Sequence, residues 1–218
     1  MLYLVATPIG QMDEITLRAL EVFKTTDLFI VESTKESGKL LRHHGITHKP
    51  FEILNEHSTL ADVQRLAQLC AGQQVALLTD CGTPGFCDPG AHLVHLCRQK
   101  NIPIKSVLGA SSLMAVLSLS GHNLQNFYFR GFLPAESEVR IKEWKKISSY
   151  KQAIVLMDTP YRLQKTMQQL KEYMPGRKCL LLINVSQPDE TQIEGLPQEI
   201  LKNLKHDKAE FMLLIYPG

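Results

Sequence analysis

The sequence predicts an α/β protein built as two α/β layers in series, and three observations carry that prediction. Short apolar runs suited to strands alternate with amphipathic helical patterns from end to end of the 218 residues. One run, Val75 to Leu78, delivers a loop with three glycines and two prolines, the kind of loop that sits at a strand end where open α/β sheets bind ligands. Turn chemistry at Gly121-His122-Asn123 interrupts the alternation, which divides the chain into 1–120 and 121–218.

Leu2 to Ala6 reads as a first strand, and Asp13 offers a cap to a helix whose Ile15, Leu17, Leu20, Val22 and Phe23 share one face. Asp27 to Val31 is the second strand. Glu32-Ser33-Thr34-Lys35 then leads into a helix through Leu40 and Leu41 that ends at Gly45, with Lys39, Arg42, His43 and His44 in its last turns, where cations suit the helix dipole. Ser58 or Thr59 caps a helix from Leu60 to Ala71 whose stripe is Leu60, Val63, Leu66, Ala67 and Cys70. After the strand and loop already described come a helix at Pro89 to Lys100, a strand at Ile102 to Leu108 and a small-residue helix at Leu113 to Ser120.

The second half repeats the alternation. Strands are expected at Phe127 to Arg130, Ala153 to Met157, Cys179 to Val185 and Glu210 to Tyr216, and helices at Glu136 to Ile147, Pro160 to Tyr173 and Gln198 to Lys205. The helix from Glu136 reads as basic and amphipathic, with Arg140, Lys142, Lys145 and Lys146 opposite Val139, Ile141 and Trp144. Such a face is usually solvated, and it could also meet RNA phosphates.

Composition removes several classes of function. With 44% hydrophobic and 21% charged residues the chain is an ordinary globular one. The apolar start breaks at Pro8 and Gly10 without a basic leader, and no run approaches a membrane span, so neither secretion nor membrane insertion is expected. Five cysteines without a C-x-x-C pair fit reduced thiols and a cytoplasmic location. A net charge of +2 means that any RNA contact should be local or shared between subunits.

Several catalytic motifs are missing: there is no P-loop, no G-x-S-x-G and no G-x-G-x-x-G. Cys81, Cys87, His92, His95 and Cys97 lie close in sequence but lack the paired spacing of a structural zinc site, so no metal is expected there. What remains is a set of strand ends. Thr7-Pro8-Ile9-Gly10, Glu32 to Lys35 and Thr79 to Pro89 should share one edge of a sheet, and Asp158-Thr159-Pro160-Tyr161-Arg162 repeats the layout in the second half. Each could equally be a plain strand-to-helix turn; Pro160 in particular suits the first position of a helix.

Taken together, LYLVATPIG with DEITLRALEVFKTTDL, then VALLTDCGTPGFCDPG, then RGFLPAES resemble the tetrapyrrole-methylase-like, or class III, S-adenosylmethionine-dependent methyltransferases. Within that group the chain is most similar to the bacterial 16S rRNA cytidine-2′-O-methyltransferases. The resemblance covers nearly the whole chain. It implies two consecutive α/β/α domains with the S-adenosylmethionine cleft between them, a homodimer and a ribosomal RNA substrate.

Residue by residue, the resemblance assigns donor binding to Pro8, to Gly82, Thr83 and Pro84 with Asp80 and Asp88 bracing their turn, to Ser111 and Ser112, to Met157 and Asp158, and to Phe211 and Met212 beside the adenine. Lys35, Glu32 and Asp158 are the candidates to activate a ribose hydroxyl, with Arg162 and Lys39 orienting phosphate. The chain departs from the family pattern on the substrate side, at Glu32 to Lys35, Leu108 to Ala110, Met157 to Arg162 and Asn184 to Pro188. It also ends at Gly218, without the C-terminal extension many of those enzymes carry. The alternatives are a tetrapyrrole or other small-molecule acceptor, or a non-catalytic S-adenosylmethionine-binding protein.

Overall fold

The computed structural model describes residues 1–218 and divides by internal contacts into two compact units, Met1–Ser111 and Ser112–Gly218. In the first, β1 (Leu2–Val5), β2 (Leu28–Val31), β3 (Phe51–Ile53), β4 (Val75–Leu78) and β5 (Ile104–Val107) form one parallel sheet in the order β3-β2-β4-β1-β5. Helices cover both faces. Tyr3, Val5, Phe29, Val31, Ala76 and Leu78 point to α1 (Leu17–Thr25) and α2 (Thr34–His43), whereas Leu2, Leu28, Ile30, Val75 and Leu77 point to α3 (Leu60–Gly72) and α4 (Gly90–Gln99). Burial on both faces explains why these strands read as unbroken apolar runs instead of alternating ones.

The first helix starts later than the sequence suggests. Met12–Glu14 is a separate short 3-10 turn, and Thr16, not Asp13, caps α1 by accepting from the Ala19 amide at 3.1 Å. Ser33 caps α2, and Thr59 with Asp62 closes a reciprocal capping box on α3. Leu60 falls outside the buried stripe of α3 because it is the first helical residue and projects into solvent. The edge strand β3 has no clear signal in the sequence: it is three residues long, and both its apolar side chains are exposed.

In the second unit, β6 (Phe127–Phe132), β7 (Ala153–Asp158), β8 (Cys179–Ile183), β9 (Thr191–Gly195) and β10 (Phe211–Ile215) form a mixed sheet in the order β6-β7-β10-β8-β9. Only β6 and β7 run parallel; β10 is antiparallel to both β7 and β8. One face packs on α6 (Ser137–Ser148), α7 (Leu163–Tyr173) and α8 (Pro197–Asn203) through Trp144, Leu163, Met167 and Ile200. The other packs on α5 (Ser112–Leu119), whose Val116 is buried among Ala153, Val155 and Leu214. Through those contacts α5 groups with the second unit, so the division falls before this helix and not after it as the turn at Gly121 suggests.

Candidate active site

Three loops at the carboxyl edge of the parallel sheet are laced together. The loop after β1 and the loop after β4 form a two-residue bridge: the Thr7 amide donates to the Gly82 carbonyl at 2.8 Å, and the Gly82 amide donates to the Thr7 carbonyl at 3.1 Å. The buried Thr7 hydroxyl adds a bond to the Thr79 carbonyl at 3.2 Å. The loop after β5 joins them, since the Thr83 hydroxyl donates to the Ala110 carbonyl at 3.4 Å. Two glycines make this approach possible. Gly82 has φ of +79°, which side chains resist, and a Cβ on Gly109 would lie 3.0 Å from the Cβ of Ala6.

The loop after β4 is held open by one carboxylate. Asp88 accepts from the amides of Gly85 (2.7 Å), Phe86 (3.2 Å) and Gly90 (2.7 Å), which is the bracing expected of it. A Cβ at Gly90 would sit 2.8 Å from Asp88 Oδ1 and 2.9 Å from Leu77 Cδ2, so only glycine lets α4 start this close to β4.

Beside the loops lies a cluster of negative charge. Glu32 accepts from the Thr79 hydroxyl at 2.9 Å and thereby ties the end of β2 to the end of β4. The Asp80 carboxyl is pushed above the usual range by partial burial, then by the charges of Glu32 and Glu36, with the Ser33 amide opposing the shift. Lys35 extends into solvent from the first turn of α2 with only Glu36 near it, at 3.7 Å. Lys39 is exposed one turn further along the same helix.

Residues assigned from the second unit separate by face. Side chains alternate along a strand, so Met157 and its cross-strand partner Met212 face α5, whereas Asp158 and its partner Phe211 face the core under α6 and α7. The Phe211 and Met212 side chains therefore lie on opposite faces of the sheet. Ser112 begins α5 on the Met157 side, and Ser111 ends the first unit.

Asp158 is buried, with Oδ2 2.6 Å from the equally buried Arg140 Nη1 and 3.3 Å from the Thr166 hydroxyl. Its Oδ1 accepts from the Thr159 amide at 2.9 Å and meets Arg162 Nη1 at 3.3 Å. Both oxygens are engaged, so Asp158 anchors α6 and α7 to the sheet and is not placed to take a proton from a substrate. Arg162, about a third exposed, has one guanidinium edge steered by that anchor.

Arg140 was expected on a solvated basic face. Instead it faces the core with Trp144 and Ile147, while Val139 and Ile141 are exposed. Phe127, Tyr128 and Phe129 pack on the second unit's cores. Phe86 and Phe132 remain exposed. Cys97 is buried in the core and lies beside Cys70.

With this geometry in view, the comparisons are direct. The family model for tetrapyrrole (corrin/porphyrin) methylases matches residues 1–201. The chain belongs to the tetrapyrrole methylase family. A relative from Neisseria meningitidis serogroup B named ribosomal RNA small subunit methyltransferase I is 36% identical over 221 residues, covering 100% of this chain and 76% of the relative. A relative of the same name from Coprothermobacter proteolyticus is 37% identical over 219 residues, covering 100% and 98%. Among solved structures this methylase resembles diphthine synthase, with a TM-score of 0.79 at 16% identity over 99% of this chain and 89% of that one. It also resembles uroporphyrin-III C-methyltransferase from Thermus thermophilus complexed with S-adenyl homocysteine, with a TM-score of 0.66 at 16% identity over 99% and 96%.

The methylase is thus an α/β methyltransferase that uses S-adenosylmethionine. Gly82 and Gly109 let the loops after β1, β4 and β5 approach closely at this edge. The Glu32, Asp80 and Glu36 carboxylates gather negative potential beside these loops. That potential has a cost in stability. Because folding raises the Asp80 pKa, the group's stabilising share is lost as pH rises from the unfolded value through the folded one, and the penalty persists above it. Asp80→Asn should therefore melt higher than the parent at about pH 7, with the gap closing as pH falls below the ordinary Asp value of about 3.9. Circular dichroism melts across pH check this; an equal gap at all pH values would refute it.

Proposed function

We propose that this methyltransferase modifies a ribose 2′-hydroxyl of small-subunit ribosomal RNA. The observation that carries the reading is the match, at 36% and 37% identity over the whole chain, to two relatives named for that RNA. Pro8, Asp80, Gly82, Thr83, Pro84 and Ser111 are assigned to the methionine end of the donor. In the second unit Ser112, at the start of α5, with Met157 and Met212, which face α5, are assigned to the donor, and Phe211 and the buried Asp158 are assigned to support that strand end from the other face.

S-adenosylmethionine supplies a methyl carbon on a sulfonium, and the protein's task is to align a hydroxyl with it. A ribose hydroxyl is a weak nucleophile, so a cation that stabilises its developing negative charge helps. Lys35 is assigned to do this, because it is a cation exposed in the first turn of α2 and held only loosely, by Glu36 at 3.7 Å. Glu32 acts through the loop it holds. Lys39 and Arg162 are assigned to phosphate.

The test is transfer of tritiated methyl groups into total RNA from a strain lacking the protein, followed by alkaline hydrolysis. Label in alkali-stable dinucleotides supports 2′-O-methylation; label in ordinary mononucleotides moves the reaction to a base. No label despite donor binding overturns the RNA reading. In the same assay Lys35→Ala should lower turnover by about 100-fold with the donor Kd unchanged. Equal turnover would remove Lys35 from the mechanism. The reading includes a homodimer, supported by large exposed apolar side chains such as Leu108 and Met114 and checked by light scattering.

A further inference from the structure

The 3-10 turn after β1 meets the end of α2 through Asp13, His43 and His44. His43 Nε2 lies 2.7 Å from Asp13 Oδ1, and His44 Nε2 lies 2.9 Å from the Met12 carbonyl oxygen. One potential ligand atom from each of Asp13, His43 and His44 falls within 4.8 Å of the other two. We propose that these three residues form a binding site for a divalent transition ion of zinc type, which fastens the turn after β1 to the end of α2.

The local backbone explains how consecutive histidines come to share a site. Within a regular helix, neighbouring side chains point about 100° apart and could not converge. His43 is the last helical residue, and His44 has left helical geometry with φ of −95° and ψ of 15°. The two rings consequently meet edge to face, with centroids 4.8 Å apart and an interplanar angle of 86°. A carbonyl can only accept, so the His44 Nε2 carries the hydrogen, and the neutral ring keeps its lone pair on Nδ1. Donation from one ring nitrogen to a backbone carbonyl is the usual support of a metal-bound histidine.

The donor set selects the ion. Two imidazoles and one carboxylate suit zinc and its neighbours, whereas calcium and magnesium take oxygen ligands. Zinc holds such ligands at about 2.0–2.2 Å, which sets them roughly 3.3 Å apart in a tetrahedron, so the widest pair, up to 4.8 Å, must draw in by roughly 1.5 Å and the 2.7 Å Asp13–His43 pair must open by about half an ångström. The Asp13 and His43 side chains are 83% and 44% exposed, which leaves them free to make that adjustment, with water completing the shell. This site differs from the Cys81, Cys87, His92, His95 and Cys97 group, which the sequence singles out by density alone.

The experiment titrates the chelator-treated full chain with Zn²⁺ by calorimetry, reads the melting temperature, and repeats the titration with Co²⁺ to record its visible spectrum. One ion per chain, a raised melting temperature and a cobalt spectrum without thiolate charge transfer are expected. Asp13→Asn, His43→Gln and His44→Gln should each weaken binding at least about tenfold, the scale of effects at such sites. Circular dichroism and S-adenosylmethionine binding confirm that the variants fold. His92→Gln with His95→Gln should bind as the parent does. No saturable binding, a thiolate band, or unchanged binding in the His43 and His44 variants would overturn the site.

Discussion

Replacing Arg140 by methionine should destabilise the protein by about 3–5 kcal/mol, the cost of removing one partner from a buried ion pair, with only the partly exposed Arg162 left to Asp158. The Asp158 carboxylate is fully enclosed, and Arg140 supplies its shortest contact at 2.6 Å. Arg140 also donates to Gln169 Oε1 at 2.7 Å and to the Thr166 hydroxyl at 2.7 Å, and Gln169 in turn accepts from the Trp144 indole at 3.0 Å. One guanidinium therefore organises α6, α7 and the end of β7. The double replacement Arg140→Met with Asp158→Leu removes both charges and should recover much of the loss, because the desolvation cost disappears with the attraction. Urea denaturation of the parent, the two single variants and the double variant measures this as a coupling energy. Additive losses would show that the pair does not act as a unit.

The same helix shows what the sequence makes legible. Its existence follows from periodicity, yet Arg140 reads there as one more charge among Lys142, Lys145 and Lys146. Its burial depends on Asp158, Thr166 and Gln169, which reach it only after β7 and α7 have packed, and no local pattern encodes that. Strand-end loops behave oppositely: Gly82, Pro84, Asp88 and Gly90 are adjacent in sequence, and their constraints on φ, donors and space are local, so the shaped loop after β4 can be read before any fold is known. Gly109 is intermediate. Its small size is visible, but the reason, contact with Ala6 on the neighbouring strand, is tertiary. Edge strands β3 and β9 escape notice because exposure on one or both faces leaves no apolar run to detect.

Asp88→Ala should weaken S-adenosylmethionine binding by about 30- to 150-fold, equivalent to roughly 2–3 kcal/mol, while changing global stability less. The carboxylate accepts from three amides of one loop, and charged acceptors make the stronger hydrogen bonds. Cys87, inside that loop, holds φ of +65°, a conformation costly for a residue with a side chain, so the bonds to Asp88 also oppose a strain that would otherwise open the turn. Once the carboxylate is gone, the Phe86 amide, on an exposed stretch of the loop, can turn to water, and the core beneath it stays intact. The loss thus falls on preorganisation: the donor must then supply the free energy that orders Gly82, Thr83 and Pro84. Asp88→Asn keeps one acceptor oxygen and should fall between the parent and the alanine variant. Calorimetry with S-adenosylhomocysteine, paired with urea denaturation, separates the two effects. A donor affinity unchanged in Asp88→Ala would mean that the loop after β4 does not hold the cofactor.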